Sequence, residues 1–196
     1  SPQLDDGLRG FSFRLDGPLD MRMNPEQGET AAQWLNSADE TDISRVLWDY
    51  GEERFARRIA RSIVQARPLE RTDDLKQAAI RAIPAAARRK GKHDATRTFQ
   101  AVRIHVNQEL RGLETALPQF FERLALGARL AVITFHSLED RLVKQFMRKH
   151  SQGKQVPRGL PVSEAELQKD KKLSLVGRKT KPSKQEISEN VRSRSS

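Results

Sequence analysis

The 196-residue chain contains no cysteine. That excludes a disulfide scaffold, a thiolate zinc site and a cysteine nucleophile, and it fits a reducing compartment, so the cytoplasm is the expected location. No apolar run approaches the roughly 18 residues that a membrane span requires, and the first residues lack the basic-then-apolar order of a signal peptide. A phosphate-cradling glycine loop is missing as well: Gly7 and Gly10 give only a GxxG spacing, with no strand before them and no P-loop lysine. His93, His105, His136 and His150 show neither HxxxH nor HExxH spacing, so no metal site is expected. His136, Ser137 and Asp140 lack a glycine elbow and lie on one turn, which argues against a hydrolytic triad. No internal repeat is visible.

Acidic residues are the minority. Lys plus Arg number 36 against 26 Asp plus Glu, a net charge of +10, so a polyanionic partner is expected and nucleic acid ranks ahead of membrane. With 36% hydrophobic and 32% charged residues the chain reads as a polar, mostly helical globular protein with basic ends. Ser1 in place of methionine reads as a processed, trimmed or partial chain.

Along the chain, residues 1–28 hold Gly7, Gly10, Gly17, Pro18, Pro25 and Gly28, too many turn formers for a long helix or strand. The interleaved Leu4, Leu8, Phe11, Phe13, Leu19, Met21 and Met23 predict a loop anchored on a core. Helical patterns follow. Ala31, Ala32, Trp34 and Leu35 form one patch; Ile43, Val46, Leu47 and Tyr50 keep i, i+3, i+4, i+7 spacing; Phe55, Ile59 and Ile63 define the next stripe, stopped by Pro68. Thr72 with Asp73 and Asp74 predicts a hydroxyl-capped helix running to Pro84. Beyond the basic run Arg88–Lys92, a single long helix is expected over Ala95–Leu117.

Residues 129–135 (RLAVITF) differ in kind: a β-branched, nearly continuous apolar run expected to be a strand buried on both faces of a parallel sheet. The helix behind it starts at Ser137, with Asp140 supplying a capping-box-like pair. One strand cannot form a sheet alone, so the chain looks incomplete as an α/β fold. The last 46 residues carry eleven Lys/Arg against five Asp/Glu and read as a basic, weakly ordered segment.

Two groups of residues carry candidate chemistry. In the first loop Arg9, Arg14 and Arg22 alternate with Phe11 and Phe13 and with Asp5, Asp16 and Asp20, a mixture suited to holding phosphates and stacking on an unpaired base of single-stranded RNA. Core phenylalanines with surface Arg/Asp pairs would look the same, and both readings stay open. Arg57, Arg58 and Arg61, with the Arg88–Lys92 run, can grip a phosphate backbone or form a solvated face. Trp34 is either a stacking platform or a wedge between helices.

The segments SPQLDD, RGFSF, DGPLDMRM, YGEERFARRIARSIV, ATRTFQAVRIHVNQEL and TFHSLEDRLVKQFM, in this order, resemble the bacterial RsmH (MraW) family, and the tail's EISENVRSRSS is similar to the segment before that family's last strand. The resemblance implies an S-adenosyl-L-methionine-dependent methyltransferase acting on the N4 amine of a cytidine in the P-site region of 16S rRNA, in the small ribosomal subunit. It also implies an α/β, Rossmann-like fold, of which this chain would hold the C-terminal half only, with an inserted all-helical domain. Residues 1–28 would line the substrate pocket, 29–100 would be the inserted RNA-recognition domain, 101–150 the returning half of the catalytic domain and 151–196 a basic tail. The family's catalytic aspartate and glycine-rich cofactor loop would precede Ser1, and the piece alone is expected to be inactive. Gln3, of SPQ, is the one cofactor contact carried over. Arg9, Phe11, Phe13, Asp16, Asp20, Arg22, Trp34 and His136 are the candidates for cytidine or RNA contact.

Departures from the family pattern are Asp94, Asn24, Leu126-Gly127-Ala128 and Val191. Only Asn24 falls by the expected pocket. The alternative from another class is a standalone basic RNA-binding or ribosome-associated module without catalysis.

Overall fold

A computed structural model describes residues 5–88, 93–152, 171–177, 179–190 and 193. The chain divides into two units, Ser1–Glu109 and Leu110–Ser196. The basic run expected over Arg88–Lys92 lies mostly outside the described residues, as does much of the tail.

The first unit is built on five helices: α1 (Ala31–Ser37), α2 (Glu40–Asp49), α3 (Ala56–Gln65), α4 (Thr72–Ala82) and α5 (Thr96–Asn107). Helix α3 is central. It buries Ala56, Ile59, Ala60 and Ile63, one stripe at helical spacing, and packs against α1, α2 and α4. Its partners answer in kind, with Ile43, Val46 and Leu47 from α2, Leu75, Ala78 and Ala79 from α4, and Phe99, Ala101 and Val102 from α5 all in one core. The alanines let the helices approach closely while the larger side chains fill the gaps. Polar ties lock the connections. Asn36 donates to the Leu69 carbonyl at 2.8 Å and accepts from the Leu69 amide at 2.9 Å, and Arg67 donates to the carbonyls of Leu35 and Ala38.

Helix boundaries follow the expected chemistry with three corrections. Thr30 caps α1 in a full capping box with Gln33. Thr72, expected as a cap, is instead the first residue of α4, and its hydroxyl faces the loop: it accepts from the Gly17 amide and donates to the Leu15 carbonyl, both at 3.1 Å. The capping task passes to two carboxylates: Asp16 accepts from the first-turn amide of Asp73 at 3.2 Å, and Asp74 reaches back to accept from the amides of Glu70 and Arg71. The second correction concerns the long helix expected over Ala95–Leu117. It is broken at Gln108, which takes the left-handed conformation (φ 49°), and Arg103 bridges the break with two hydrogen bonds to Glu109 at 2.8 and 3.0 Å. The apolar periodicity of the sequence runs through the break and gives no sign of it.

The second unit contains most of α6 (Glu109–Glu122), then α7 (Ser137–Ser151) and α8 (Lys184–Glu189). Phe121 of α6 meets Phe146 edge-on at 5.9 Å and His150 at 4.9 Å, and Leu117, Leu138 and Val143 are buried. The cap of α7 lies one residue earlier than expected: His136 is the N-cap, and Glu139, not Asp140, reaches back to accept from the Phe135 amide at 2.8 Å. Asp140 instead pairs with Lys144 and Lys179.

Residues 129–135, expected as a buried strand, form no ladder among the described residues. Their burial alternates. Leu130, Val132 and Thr134 are at least half covered, whereas Ala131, Ile133 and Phe135 are exposed, Ile133 to 74%. No helix among the described residues is long and apolar enough to cross a membrane.

Two buried features make the fold testable. A Cβ at Gly17 would collide with the Gly7 carbonyl, so Gly17→Ala destabilises by about 2 kcal/mol or more in a denaturant titration. The Thr98 hydroxyl is fully buried with no hydrogen-bond partner among the described residues, so Thr98→Val changes stability by less than about 1 kcal/mol or raises it.

Candidate functional site

The loop over residues 5–29 carries most of the candidate residues, and its shape is set by ties to distant helices. Gly10 makes the first turn at φ 71°, where a side chain would strike the Pro18 carbonyl. Pro18 and Arg71 form an isolated antiparallel bridge: the Leu19 amide donates to the Glu70 carbonyl and the Thr72 amide to the Gly17 carbonyl, each at 2.9 Å. Leu19 and Met21 are fully buried anchors. Met21 adopts a left-handed backbone (φ 61°), which an unbranched side chain accepts only where surrounding bonds enforce it.

Asn107 supplies those bonds. Its amide nitrogen donates to the Met21 carbonyl at 2.7 Å and its oxygen accepts from the Met23 amide at 2.6 Å, so one carboxamide at the end of α5 holds both flanks of Arg22. On the other side of the loop Arg9 donates to the carbonyls of Arg22 and Met23 at 2.8 and 3.0 Å. Arg22 grips Asp20 through Nε and Nη2 (2.7 and 2.8 Å) and reaches the Gly28 carbonyl. The Arg22 guanidinium holds the Asp20 carboxyl below its ordinary value of 3.8, and Asp20 in turn raises the Arg22 pKa. Asp16 makes a separate cluster with Arg71 (2.7 Å), Thr72 and the Asp73 amide, and its pKa too is lowered, chiefly by Arg71.

The two phenylalanines are unlike. Phe11 is 6% exposed, with the Arg9 guanidinium 6.0 Å from its ring centre. Phe13 is half-buried, stacked on His93 at 4.5 Å with Phe99 at its edge. Trp34 is a wedge: 7% exposed, its ring lies 4.1 Å from that of His105. The structure thus brings Arg9, Asp20 and Arg22 into one network, places Asp16 in a second, and puts Phe13 and Trp34 in separate aromatic pairs. His136 belongs to the other unit, as the cap of α7. Gln3 lies outside the described residues.

Sequence reasoning missed Asn107, Arg71 and His93 as supports of this loop, and His105 as the ring against Trp34. Asn107 lies 84 residues from Met23, and no local spacing links them. Its signal is its place inside the ATRTFQAVRIHVNQEL segment. Arg14 is the loop arginine whose side chain is exposed and engaged by no carboxylate among the described residues.

Two outcomes follow. Asn107→Ala removes both anchors and leaves the left-handed Met21 held through its amide bond to the Arg9 carbonyl; amide hydrogen exchange at Met23 speeds up, with a stability loss of about 1–3 kcal/mol. Burial beside Trp34 holds the His105 imidazole below its ordinary value of 6.5, and burial lowers His150 similarly. A lowered histidine pKa in the fold means the unfolded chain binds the proton first, so this stability is complete above pH 6.5 and declines as pH falls below it. The melting temperature therefore drops between about pH 7 and 5, and less steeply in His105→Phe.

The chain matches the model of the MraW methylase family over residues 1–196. It is 60% identical, over its whole length, to a protein of Idiomarina loihiensis (strain ATCC BAA-735 / DSM 15497 / L2-TR) named ribosomal RNA small subunit methyltransferase H, and it spans 62% of that relative's length. On a match that covers every residue, the chain belongs to the MraW methylase family.

Proposed function

We propose that this chain belongs to an enzyme that transfers a methyl group from S-adenosyl-L-methionine to the N4 amine of a cytidine in the P-site region of 16S rRNA, in the small ribosomal subunit and in the cytoplasm. The observation that carries the reading is the 60% identity with a named small-subunit rRNA methyltransferase. In this reading residues 1–28 line the pocket for the target base, 29–100 form an inserted RNA-recognition domain, and 101–150 belong to a Rossmann-like α/β domain followed by the basic tail. The uncovered apolar edge of Ala131, Ile133 and Phe135 supports that last assignment, because such a surface suits a sheet.

S-adenosyl-L-methionine is a sulfonium cation. Two clefts among the described residues are lined by arginines, which do not fit a cationic ligand. What this chain's residues supply is the acceptor side. The lone pair of a cytosine N4 amine is delocalised into the ring, so the rate depends on holding the base in one orientation. The target nucleotide leaves its stack to be held so. A loop whose backbone is pinned by Asn107, Arg9 and Thr72 meets that demand without reorganising. Asp20 and Asp16 are already engaged by arginines, so their part is to fix Arg22 and Arg71 rather than to seek a base. Arg14 and Phe13 remain the groups best placed to meet RNA, one by charge and one by a partly open ring.

Deleting the gene that encodes this chain removes N4-methylcytidine from 16S rRNA, read by mass spectrometry of nuclease-digested rRNA, and restoring it returns the nucleoside. An unchanged nucleoside profile overturns the proposal. In the complemented strain the phenylalanines separate. Phe11→Ala empties a core site and costs about 3–5 kcal/mol, so methylation and melting temperature fall together. Phe13→Ala lowers methylation more than it lowers the melting temperature.

A further inference from the structure

Away from the loop, the outer face of α3 carries Arg57, Arg58 and Arg61, all exposed, and these three side chains border two neighbouring clefts. The first, about 400 Å³, opens toward α4 and is completed by Ser62, Gln65 and Arg81. The second, about 850 Å³, opens toward α2 and includes Arg45, Arg54 and Trp48. Six arginines line the pair of clefts, against Glu40 as the single carboxylate. Glu40 lies 3.7 Å from Arg61, and Arg45 pairs with Asp42 at 2.7 Å. Among the described residues, Arg57, Arg58 and Arg81 face no carboxylate within ion-pair distance. Folding alone gives no reason to gather them, since like charges on adjoining faces repel.

Trp48 decides the kind of polyanion. Its α2 neighbours Val46 and Leu47 are buried, yet the indole is 62% exposed at the mouth of the second cleft. Beside it the Arg54 guanidinium sits 4.6 Å from the Phe55 ring centre, a second flat cationic surface. An exposed indole among guanidiniums offers a stacking face, and a base can use it only when it is unpaired; a duplex presents edges and phosphates. Arg57 and Arg61 are one helical turn apart, about 6 Å along the axis, so consecutive arginines can follow a backbone that runs along α3.

We propose that the α2–α3–α4 face is a binding site for single-stranded RNA, in which Trp48 stacks on an unpaired base and Arg57, Arg58 and Arg81 neutralise the flanking phosphates. The site is separate from the target-base loop, and naming its polyanion as RNA rests on the proposed function. It gives the protein a grip on its substrate that does not depend on the base being modified.

The test uses the chain with a fluorescein-labelled, unstructured RNA of about 12 nucleotides, within the span such grooves cover, by anisotropy across a range of potassium chloride concentrations. The combined variant Arg57→Gln, Arg58→Gln, Arg81→Gln weakens binding at least about tenfold and lowers the slope of log affinity against log salt by about 2, near 0.7 for each lost phosphate contact. Trp48→Ala weakens binding by about 5- to 100-fold and Trp48→Phe restores most of it. In a Trp34→Phe background, where Trp48 is the only indole, RNA quenches the fluorescence. Arg57, Arg58, Arg81 and Trp48 are exposed positions, and unchanged thermal melts verify the fold of every variant, the buried Trp34→Phe background included. Variants that bind RNA with wild-type affinity and salt slope overturn the site. So does polyglutamate competing as well as RNA, which would mark an acidic protein as the occupant. If N4-methylcytidine survives gene deletion while the variants lose RNA, the groove stands and the cytidine assignment falls. If methylation depends on the gene while the variants bind normally, the groove alone falls.

Discussion

A single carboxamide governs the geometry of the first unit. Asn107 closes α5, accepts from one loop amide and donates to one loop carbonyl, and so converts the strained turn around Met21 into the favoured shape. Met21 needs this help because a left-handed backbone costs a non-glycine residue roughly 1–2 kcal/mol. Asn107 also donates to the Arg103 carbonyl, on the last turn of its own helix, while the Arg103 side chain donates to Glu109. The break at Gln108 and the loop are therefore one construction.

Beside the arginines that pair with carboxylates, Arg22, Arg45, Arg61, Arg71, Arg88 and Arg103, arginine divides into two further populations, and the division explains how so basic a chain folds. One population is spent on backbone carbonyls at chain crossings: Arg9 on Arg22 and Met23, Arg67 on Leu35 and Ala38, Arg54 on Ala87. A guanidinium presents several donors in a fixed fork, so it satisfies two carbonyls that no helix or sheet has used. The other population, Arg14, Arg57, Arg58 and Arg81, takes no carboxylate partner among the described residues. Net charge is a property of every set, but only the last is available to a polyanion. A count of +10 therefore overstates the binding surface, and location on the fold is what identifies it.

Much of the helical architecture was legible because it rests on local periodicity. The stripes of α2, α3 and α4 are each visible as i, i+3, i+4 patterns, and Pro68 and Pro84 end what they were expected to end. What was not legible is whatever depends on residues far apart in sequence. Thr72 has the composition of a cap, but its hydroxyl is drawn to Leu15 and Gly17, which precede it by 57 and 55 residues, and Asp16 and Asp74 take its place. The loop's Arg/Phe/Asp alternation suggested equivalent members, whereas burial separates Phe11 from Phe13 and ion pairs with Arg71 and Arg22 engage Asp16 and Asp20. Arg57, Arg58 and Arg61 were visible as an off-stripe trio, but Trp48 and Arg81 join them only through helix packing.

Residues 129–135 show the limit from the opposite side. Their composition is that of a strand, and their burial alternates with the period of two that an extended chain imposes, Leu130, Val132 and Thr134 turning one way and Ala131, Ile133 and Phe135 the other. The local preference is thus expressed, yet among the described residues no ladder forms. A strand is a shared state: its amides and carbonyls need a neighbour, and a single extended segment gains little from adopting the shape. A helix closes its own hydrogen bonds, so α7, whose N-cap directly follows this segment, needs no such neighbour and forms with its cap in place. The different fates of these two adjoining stretches come from where each must find its hydrogen-bond partners, within the segment or beyond it.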